Sequence, residues 1–319
     1  MDSDSSGSTA ASMHQRWLAN WRGLSGNLRG AIWILLSTLL FSVMMALVKH
    51  AGARLPSVEI VTFRALAQLA ILGPMVLRGG FEGFKTTRPG LHLLRAVMAV
   101  GAINCTFYAL THMPLADATA ISFSRNLFLT LMAILVLGET VGRHRWTALA
   151  VGFVGVIMIL RPGVDGFEPA ALVALAAAVL VAGLGISIRL LSKTEPNVLI
   201  MVFPATMTLL VTAPMAAYVW ITPTLEELIV LVIMGVVGVA AQGTLVQAFR
   251  VGEASALAPM GYVRLVFAVI IGVVVFAEVP DAITIGGSLV IVAGTLYTVH
   301  RENLKKRAQS ADPPPQELG

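Results

Sequence analysis

Residues 108–139 read YALTHMPLADATAISFSRNLFLTLMAILVLGE, and residues 247–278 read QAFRVGEASALAPMGYVRLVFAVIIGVVVFAE. The two stretches align without a gap at an offset of 139 residues, which matches Arg125 with Arg264. Further identities at this offset are Ala109–Ala248, Phe128–Phe267, Val136–Val275, Glu139–Glu278 and Gly155–Gly294. A match of this length indicates that the chain contains two copies of one structural unit.

Apolar runs surround this repeat on both sides and continue along the rest of the chain. Hydrophobic residues make up 57% of the sequence and charged residues only 12%, too few to cover a soluble domain of this length. The apolar runs, of about 16–24 residues, are long enough to cross a hydrocarbon core of roughly 30 Å. The predicted spans are 30–48, 57–77, 90–111, 117–138, 145–160, 168–189, 197–220, 228–249, 254–276 and 282–299. The sequence therefore predicts an all-α polytopic membrane protein of ten transmembrane helices.

The number of spans fixes how the two copies are related. Each copy holds five spans, so the second copy enters the membrane with the opposite polarity. The predicted organisation is a tail over 1–29, a first repeat over 30–161, a second repeat over 162–300 and a basic, disordered tail over 301–319. Inverted repeats of this kind are the architecture of many secondary transporters, with the substrate site near the bilayer midplane between the copies.

The net charge of +5 is distributed as in a membrane protein and not as in a nucleic-acid-binding protein. With both termini in the cytoplasm, the cytoplasmic segments hold fifteen Lys and Arg residues and the opposite loops hold three. This excess follows the positive-inside rule. The first 29 residues lack an apolar segment followed by a cleavage site, so we interpret them as a cytoplasmic tail and not as a signal peptide.

Arg125 and Arg264 are predicted to lie near the middle of the membrane. Arg125 is about 13 Å into a span entered from outside, and Arg264 is about 16 Å into a span entered from inside. An arginine at this depth costs about 2.5–3.5 kcal/mol on insertion scales. Two interpretations remain for the pair: the side chains line a water-filled cavity, or they bind carbonyl groups of a broken helix. Both also remain for Arg64, whereas Arg95 is expected to extend to the cytoplasmic interface.

No acidic residue lies in the middle of a predicted span. A cavity lined by arginines without acids favours neutral or anionic small molecules over cationic ones, and a guanidinium offers a planar fork of donors to them. Without a central acid or histidine to relay protons, we expect exchange or potential-driven movement. The histidines are scattered and no HExxH motif is present, so we predict no enzyme activity, no metal and no cofactor.

Several other residues are candidates on weaker grounds. Phe128 and Phe267 either stack on a planar substrate or pack in the core. Glu139 and Glu278, at the ends of the fourth and ninth spans, either fix a turn or form a latch in one access state. Polar or aromatic side chains that could reach the cavity are Tyr262, Asn126, Tyr108 and Asn104. Glycines in the fifth and tenth spans allow close helix contacts, within a protomer or in a homodimer.

The repeated stretch resembles the EamA repeat of the drug/metabolite transporter superfamily, and EIVTFRALAQLA (59–70) is similar to that family's second helix. The resemblance covers roughly residues 30–300, and the closing GE and AE of the fourth and ninth spans are its most specific mark. It implies ten helices, the inner membrane of a bacterium, and transport of a small organic metabolite. Many members carry a proline where this chain has Arg125–Asn126 and Arg264–Leu265, so straighter fourth and ninth helices are expected here.

The stretch YVRLVFAVIIG is similar to a subset of the family that includes riboflavin and S-adenosylmethionine uptake proteins. The first functional hypothesis is therefore uptake of a heteroaromatic metabolite such as riboflavin. The second is export of amino acids or organic anions. A channel or a non-transporting membrane scaffold is the alternative from another class, because a sequence does not distinguish a pore from alternating access.

Overall fold

The computed structural model describes residues 25–78, 88–137, 143–160, 169–191, 197–252 and 257–311. Within these ranges the chain forms helices and no strands. The helices are α1 (Gly26–Ala51), α2 (Ser57–Arg78), α3 (Pro89–His112), α4 (Leu115–Ser122), α5 (Arg125–Leu137), α6 (Arg143–Leu160), α7 (Pro169–Leu191), α8 (Asn197–Tyr218), α9 (Leu225–Val251), α10 (Val263–Phe276) and α11 (Ala282–Ala311). A 3₁₀ helix, Ala258–Tyr262, precedes α10.

Several of the described helices have the length and apolarity that a membrane span requires. Six segments are long enough to cross a bilayer: α1, α2, α3, α4 continued by α5, α7 and α9. Shorter apolar stretches lie in α6, α8, α11 and the 3₁₀ helix continued by α10. The prediction of an all-α polytopic membrane protein is confirmed, while the number of crossings stays a prediction.

Helix packing follows a pseudo-two-fold pattern. Helix α1 packs along α9 and on α10, and its counterpart α7 packs in the same way along α3 and on α5. Helix α2 packs on α9 as α8 packs on α3. The remaining large contacts pair each helix with its own counterpart, α6 with α11 and α2 with α8. Each half therefore covers the apolar faces of the other half.

Close contacts between α3 and α7 give the relative direction of the halves. A Cβ added at Gly101 would lie 3.0 Å from Leu180, and one added at Gly183 would lie 2.8 Å from Met98. Later residues of α3 thus contact earlier residues of α7, so the two helices are antiparallel. The sequence predicts that α1 and α3 cross the membrane in the same direction, and with α7 antiparallel to α3 the second half then begins in the opposite direction to the first.

Glycines bring α6 and α11 into direct backbone contact. A Cβ at Gly155 would lie 2.6 Å from the carbonyl oxygen of Gly287, and a Cβ at Gly287 would lie 2.8 Å from that of Gly155. A side chain at either position would push the helices apart. These two glycines therefore pack within the protomer, and the homodimer stays a prediction.

The fourth and ninth helices are each interrupted by a tightened turn, and the expectation that they are straighter than in proline-containing members stays a prediction. The backbone N–H groups of Phe123 and Ser124 donate to carbonyls three residues back, at 3.1 and 2.9 Å, which separates α4 from α5 by a tightened turn. The Ser124 hydroxyl donates to the carbonyl of Ile121 at 2.6 Å. Serine hydroxyls compete for helix carbonyls in this way and bend helices without proline. The 3₁₀ helix before α10 occupies the matching place in the second half.

The C-terminal segment also differs from the expectation of a disordered tail. Helix α11 continues to Ala311, so residues 301–311 are helical. This stretch, RENLKKRAQSA, contains good helix formers and no glycine or proline. The prediction for 312–319, most of the N-terminal tail and Glu139 lie outside the described residues.

Candidate functional site

A cavity of about 1280 Å³ lies between the two halves and is lined by helices of both. Its lining includes all four arginines that the sequence places inside spans: Arg64, Arg95, Arg125 and Arg264. No aspartate or glutamate of the described residues lines it. The cavity is therefore electropositive.

Arg264 lies in a polar cluster formed where both interrupted helices resume. Its Nη2 donates to the hydroxyl of Ser122 at 2.7 Å, and its guanidinium lies 5.2 Å from the centroid of the Phe123 ring. Beside it, Asn126 Nδ2 donates to the hydroxyl of Tyr262 at 3.2 Å. These side chains come from the α4–α5 turn of one half and the start of α10 in the other.

Arg125 completes this cluster as a cation without a counterion. It lines the cavity and has no side-chain hydrogen bond or ion pair with a described residue. Its charge repels that of Arg264. We call these two residues the arginine pair.

The arginine pair lies at the positive ends of two helix dipoles. Arg125 is the first residue of α5, and Arg264 follows the first residue of α10. A cation is unfavourable at a helix N-terminus, whereas an anion is stabilised there. Discontinuous helices whose N-termini face anionic substrate groups recur in transporters with inverted repeats. The local arrangement is thus suited to a ligand that carries an anionic or acceptor group.

Arg95 does not extend to the membrane interface, contrary to the sequence expectation. Its residue is only 9% exposed, and its Nη1 donates to the carbonyl of Leu184 at 3.2 Å and to the hydroxyl of Ser187 at 3.1 Å. Both acceptors belong to α7, which packs along α3. Because these acceptors lie in the other half of the chain, the residues next to Arg95 in the sequence do not indicate this hydrogen bonding.

Four residues proposed from the sequence are not among those lining the cavity: Phe128, Phe267, Tyr108 and Asn104. Phe128 packs edge-on against Phe153, with ring centroids 5.2 Å apart. Tyr108 stacks on His112 at 4.0 Å, and Asn104 Nδ2 donates to the carbonyl of Val100 at 2.8 Å. Local contacts account for Phe128, Tyr108 and Asn104, and we leave all four residues out of the proposed site because none lines the cavity.

Gln68 and Gln242 line the cavity but were missed by the sequence analysis. A signal for Gln68 was present, since it follows Arg64 by four residues and therefore lies on the same helical face. Nothing comparable marked Gln242, which lies in a long apolar helix.

Glu278 connects three elements at one end of the cavity. Its carboxylate pairs with Lys49 Nζ at 2.6 Å and accepts from the backbone N–H of Leu115 at 3.0 Å. Lys49 Nζ also donates to the carbonyl of Met113 at 2.7 Å. The two charged side chains are only 13% and 24% exposed. We call this group the Lys49–Glu278 latch, since it ties α1 and the start of α4 to the end of α10.

The residue before Glu278 explains the position of its carboxylate. Ala277 has φ 55° and ψ 28°, the left-handed conformation that commonly ends a helix. The N–H groups of Ala277 and Glu278 both donate to the carbonyl of Gly272. The chain reverses here, which turns Glu278 back toward Leu115. In the first half the matching residue is glycine, Gly138, outside the described residues.

A second cluster joins the halves at the same end. Arg54, between α1 and α2, pairs with Glu227 of α9 and donates to the carbonyl of Thr222 at 2.9 Å. Glu59 is fully buried and accepts from the backbone N–H of Ile221 at 3.2 Å. The cavity lining extends toward the opposite end of the helices, as far as Leu72, Arg95 and Gln247.

Comparison with known proteins gives a consistent picture. The model of the EamA-like transporter family matches this chain twice, over residues 28–161 and 168–299. A solved structure shares the fold, with a TM-score of 0.60 at 20% sequence identity. The match covers 84% of this chain and 96% of the chain in that structure.

Three named relatives are transporters with different substrates. The S-adenosylmethionine uptake transporter of Rickettsia prowazekii is 33% identical, over 86% of this chain and 94% of its own length. The pseudopaline exporter CntI of Pseudomonas aeruginosa is 34% identical, over 84% of this chain and 94% of its own length. The riboflavin transporter of Brucella anthropi is 28% identical, over 79% of this chain and 92% of its own length.

Proposed function

This chain belongs to the EamA-like transporter family, and from that premise we propose that it moves a small organic metabolite by alternating access. The observation that carries the proposal is the cavity between two inverted halves, closed at one end by contacts from half to half. A scaffold protein would have no use for such a cavity.

The orientation follows from the charge distribution. We place both termini in the cytoplasm of a bacterium and the chain in its inner membrane, as the positive-inside excess favours. The Lys49–Glu278 latch then lies on the outer face. In this orientation the structure is closed outward, with its cavity directed to the cytoplasm.

The chemistry of the cavity supports a neutral or anionic substrate. The arginine pair, Asn126 and Tyr262 offer donors to carbonyl, carboxylate or phosphate oxygens, and the Phe123 ring lies beside them. Our first candidate is a heteroaromatic metabolite such as riboflavin. S-adenosylmethionine is the second candidate, because a relative is an S-adenosylmethionine uptake transporter. Its sulfonium cation argues against it, since the arginines of the cavity would repel this charge. Export of amino acids or organic anions is the third, favoured by the likeness to an exporter.

Counterflow in proteoliposomes tests this proposal. We expect labelled riboflavin to be taken up in saturable exchange against internal riboflavin, and S-adenosylmethionine and amino acids to compete less well. Flux that rises linearly with concentration, without counterflow, would indicate a channel. Transport of S-adenosylmethionine alone would overturn the charge argument for the cavity.

The Lys49–Glu278 latch is expected to stabilise the outward-closed state. Glu278→Gln removes one charge of a partly buried pair, so we expect it to shift the population toward the outward-open state by about tenfold, or 1.4 kcal/mol. The readout is labelling of Leu110→Cys, in a Cys105→Ser background, by an impermeant thiol reagent added outside. Leu110 lines the cavity and is 2% exposed.

Glu226→Gln is the matched control, because Glu226 is an exposed acid at the same end. Reversal of both charges, Lys49→Glu with Glu278→Lys, is expected to restore part of the protection. Equal labelling in the parent and in Glu278→Gln would show that Glu278 only fixes the turn.

A further inference from the structure

Arg64 is a second cation in the cavity that has no ion pair with a described residue. Its Nε is buried and has no hydrogen-bond partner among the described residues. The guanidinium lies 5.9 Å from the centroid of the Phe107 ring. Helix α9 also passes close to it, since a Cβ at Gly238 would lie 4.0 Å from Nε. The guanidinium thus lies near a ring of α3 and the backbone of α9, and no acid among the described residues forms an ion pair with it.

Two glutamines share this part of the cavity with Arg64. Gln68 lies one turn after Arg64 on α2, so these two residues share a helical face. Gln242 lies one turn after Gly238 on α9, on the helical face that is close to Arg64. Both line the cavity, and neither side chain has a hydrogen bond to a described residue. We call Arg64, Gln68 and Gln242 the amide corner.

The amide corner is separate from the arginine pair. It is formed by α2 and α9, whereas the pair is formed by the α4–α5 turn and the start of α10. The cavity therefore has two groups of side-chain donors that come from different helices.

We infer that the amide corner is a second oxyanion subsite, so the preferred substrate carries a phosphate or carboxylate in addition to the group bound by the arginine pair. This inference rests on the proposed transport function. A guanidinium with a buried, unpartnered donor is costly, and an oxyanion with two or more acceptor oxygens compensates it through charge-assisted hydrogen bonds. The volume of 1280 Å³ exceeds the usual range for small-molecule sites of about 300–1,000 Å³, which leaves room for both subsites.

Matched ligands test the second subsite. Riboflavin and riboflavin 5′-phosphate differ only in a terminal phosphate, and glutamine and glutamate differ only in amide against carboxylate. We expect the anionic member of the pair that binds to compete in counterflow at about tenfold lower concentration than its neutral partner. Arg64→Gln should reduce this difference between the two members of the pair to within about twofold.

The controls separate the possible failures. Gln242→Met serves as a second variant in case Arg64→Gln does not fold, and Arg250→Gln, an exposed arginine on α9, should change nothing. If both members of a pair compete equally, or Arg64→Gln weakens both alike, the subsite is refuted while transport stands. If no member of either pair binds the wild-type protein, the substrate classes of the proposed function fail together with the subsite.

Discussion

Arg125→Gln and Arg264→Gln are each expected to lower transport at least about 100-fold, because each removes charge-assisted hydrogen bonds worth about 1.5–3 kcal/mol apiece to a substrate oxygen. A guanidinium donates two such bonds in parallel, and glutamine supplies a neutral amide instead. The measurement is counterflow in proteoliposomes at matched protein density.

Folding should survive both substitutions. Arg125 has no hydrogen bond or ion pair with a described residue, so its loss removes an uncompensated buried charge. We therefore expect Arg125→Gln to unfold at an equal or higher temperature than the parent when no substrate is present. Arg264→Gln loses the bond to Ser122 and also the repulsion from Arg125, and should remain close to the parent.

Arg250→Gln is the matched control, since Arg250 is exposed and does not line the cavity. Arg125→Lys separates charge from geometry: partial transport would mean that charge dominates, and none would mean that the planar fork is needed. If both glutamine variants transport normally, the arginine pair does not bind the substrate.

Gly155→Leu is expected to prevent stable folding. Its Cβ alone would lie 2.6 Å from the carbonyl oxygen of Gly287, a backbone atom that cannot move aside without moving α11. Overpacking costs about 1–3 kcal/mol in a core that can relax, and more where two backbones are in contact. We expect little monodisperse protein in detergent and a clearly lower unfolding temperature.

Gly73→Leu supplies the control for helix propensity. A Cβ at Gly73 meets nothing within 4 Å, so this variant should be as stable as the parent or slightly more stable. If Gly155→Leu were also as stable as the parent, the close contact of α6 with α11 would not exist in the folded protein.

The sequence by itself determined the class of the protein, its internal duplication and the inversion of its halves. These properties depend on the lengths of apolar runs, on an alignment at one offset, and on the odd number of spans predicted for each repeat. The sequence also predicts the depth of Arg125 and Arg264 in the membrane, because depth is proportional to position along a spanning helix.

Tertiary structure decided which side chains meet. It placed Phe128 against Phe153, turned Arg95 toward α7, and brought Lys49 to Glu278 from the opposite half of the chain. In a soluble helix the apolar face marks the interior, but a membrane helix is apolar on all sides, so its sequence does not mark the face that is turned inward. The rotation of each helix about its axis is set by small residues and packing between the halves, and that rotation selected which of the predicted residues line the cavity.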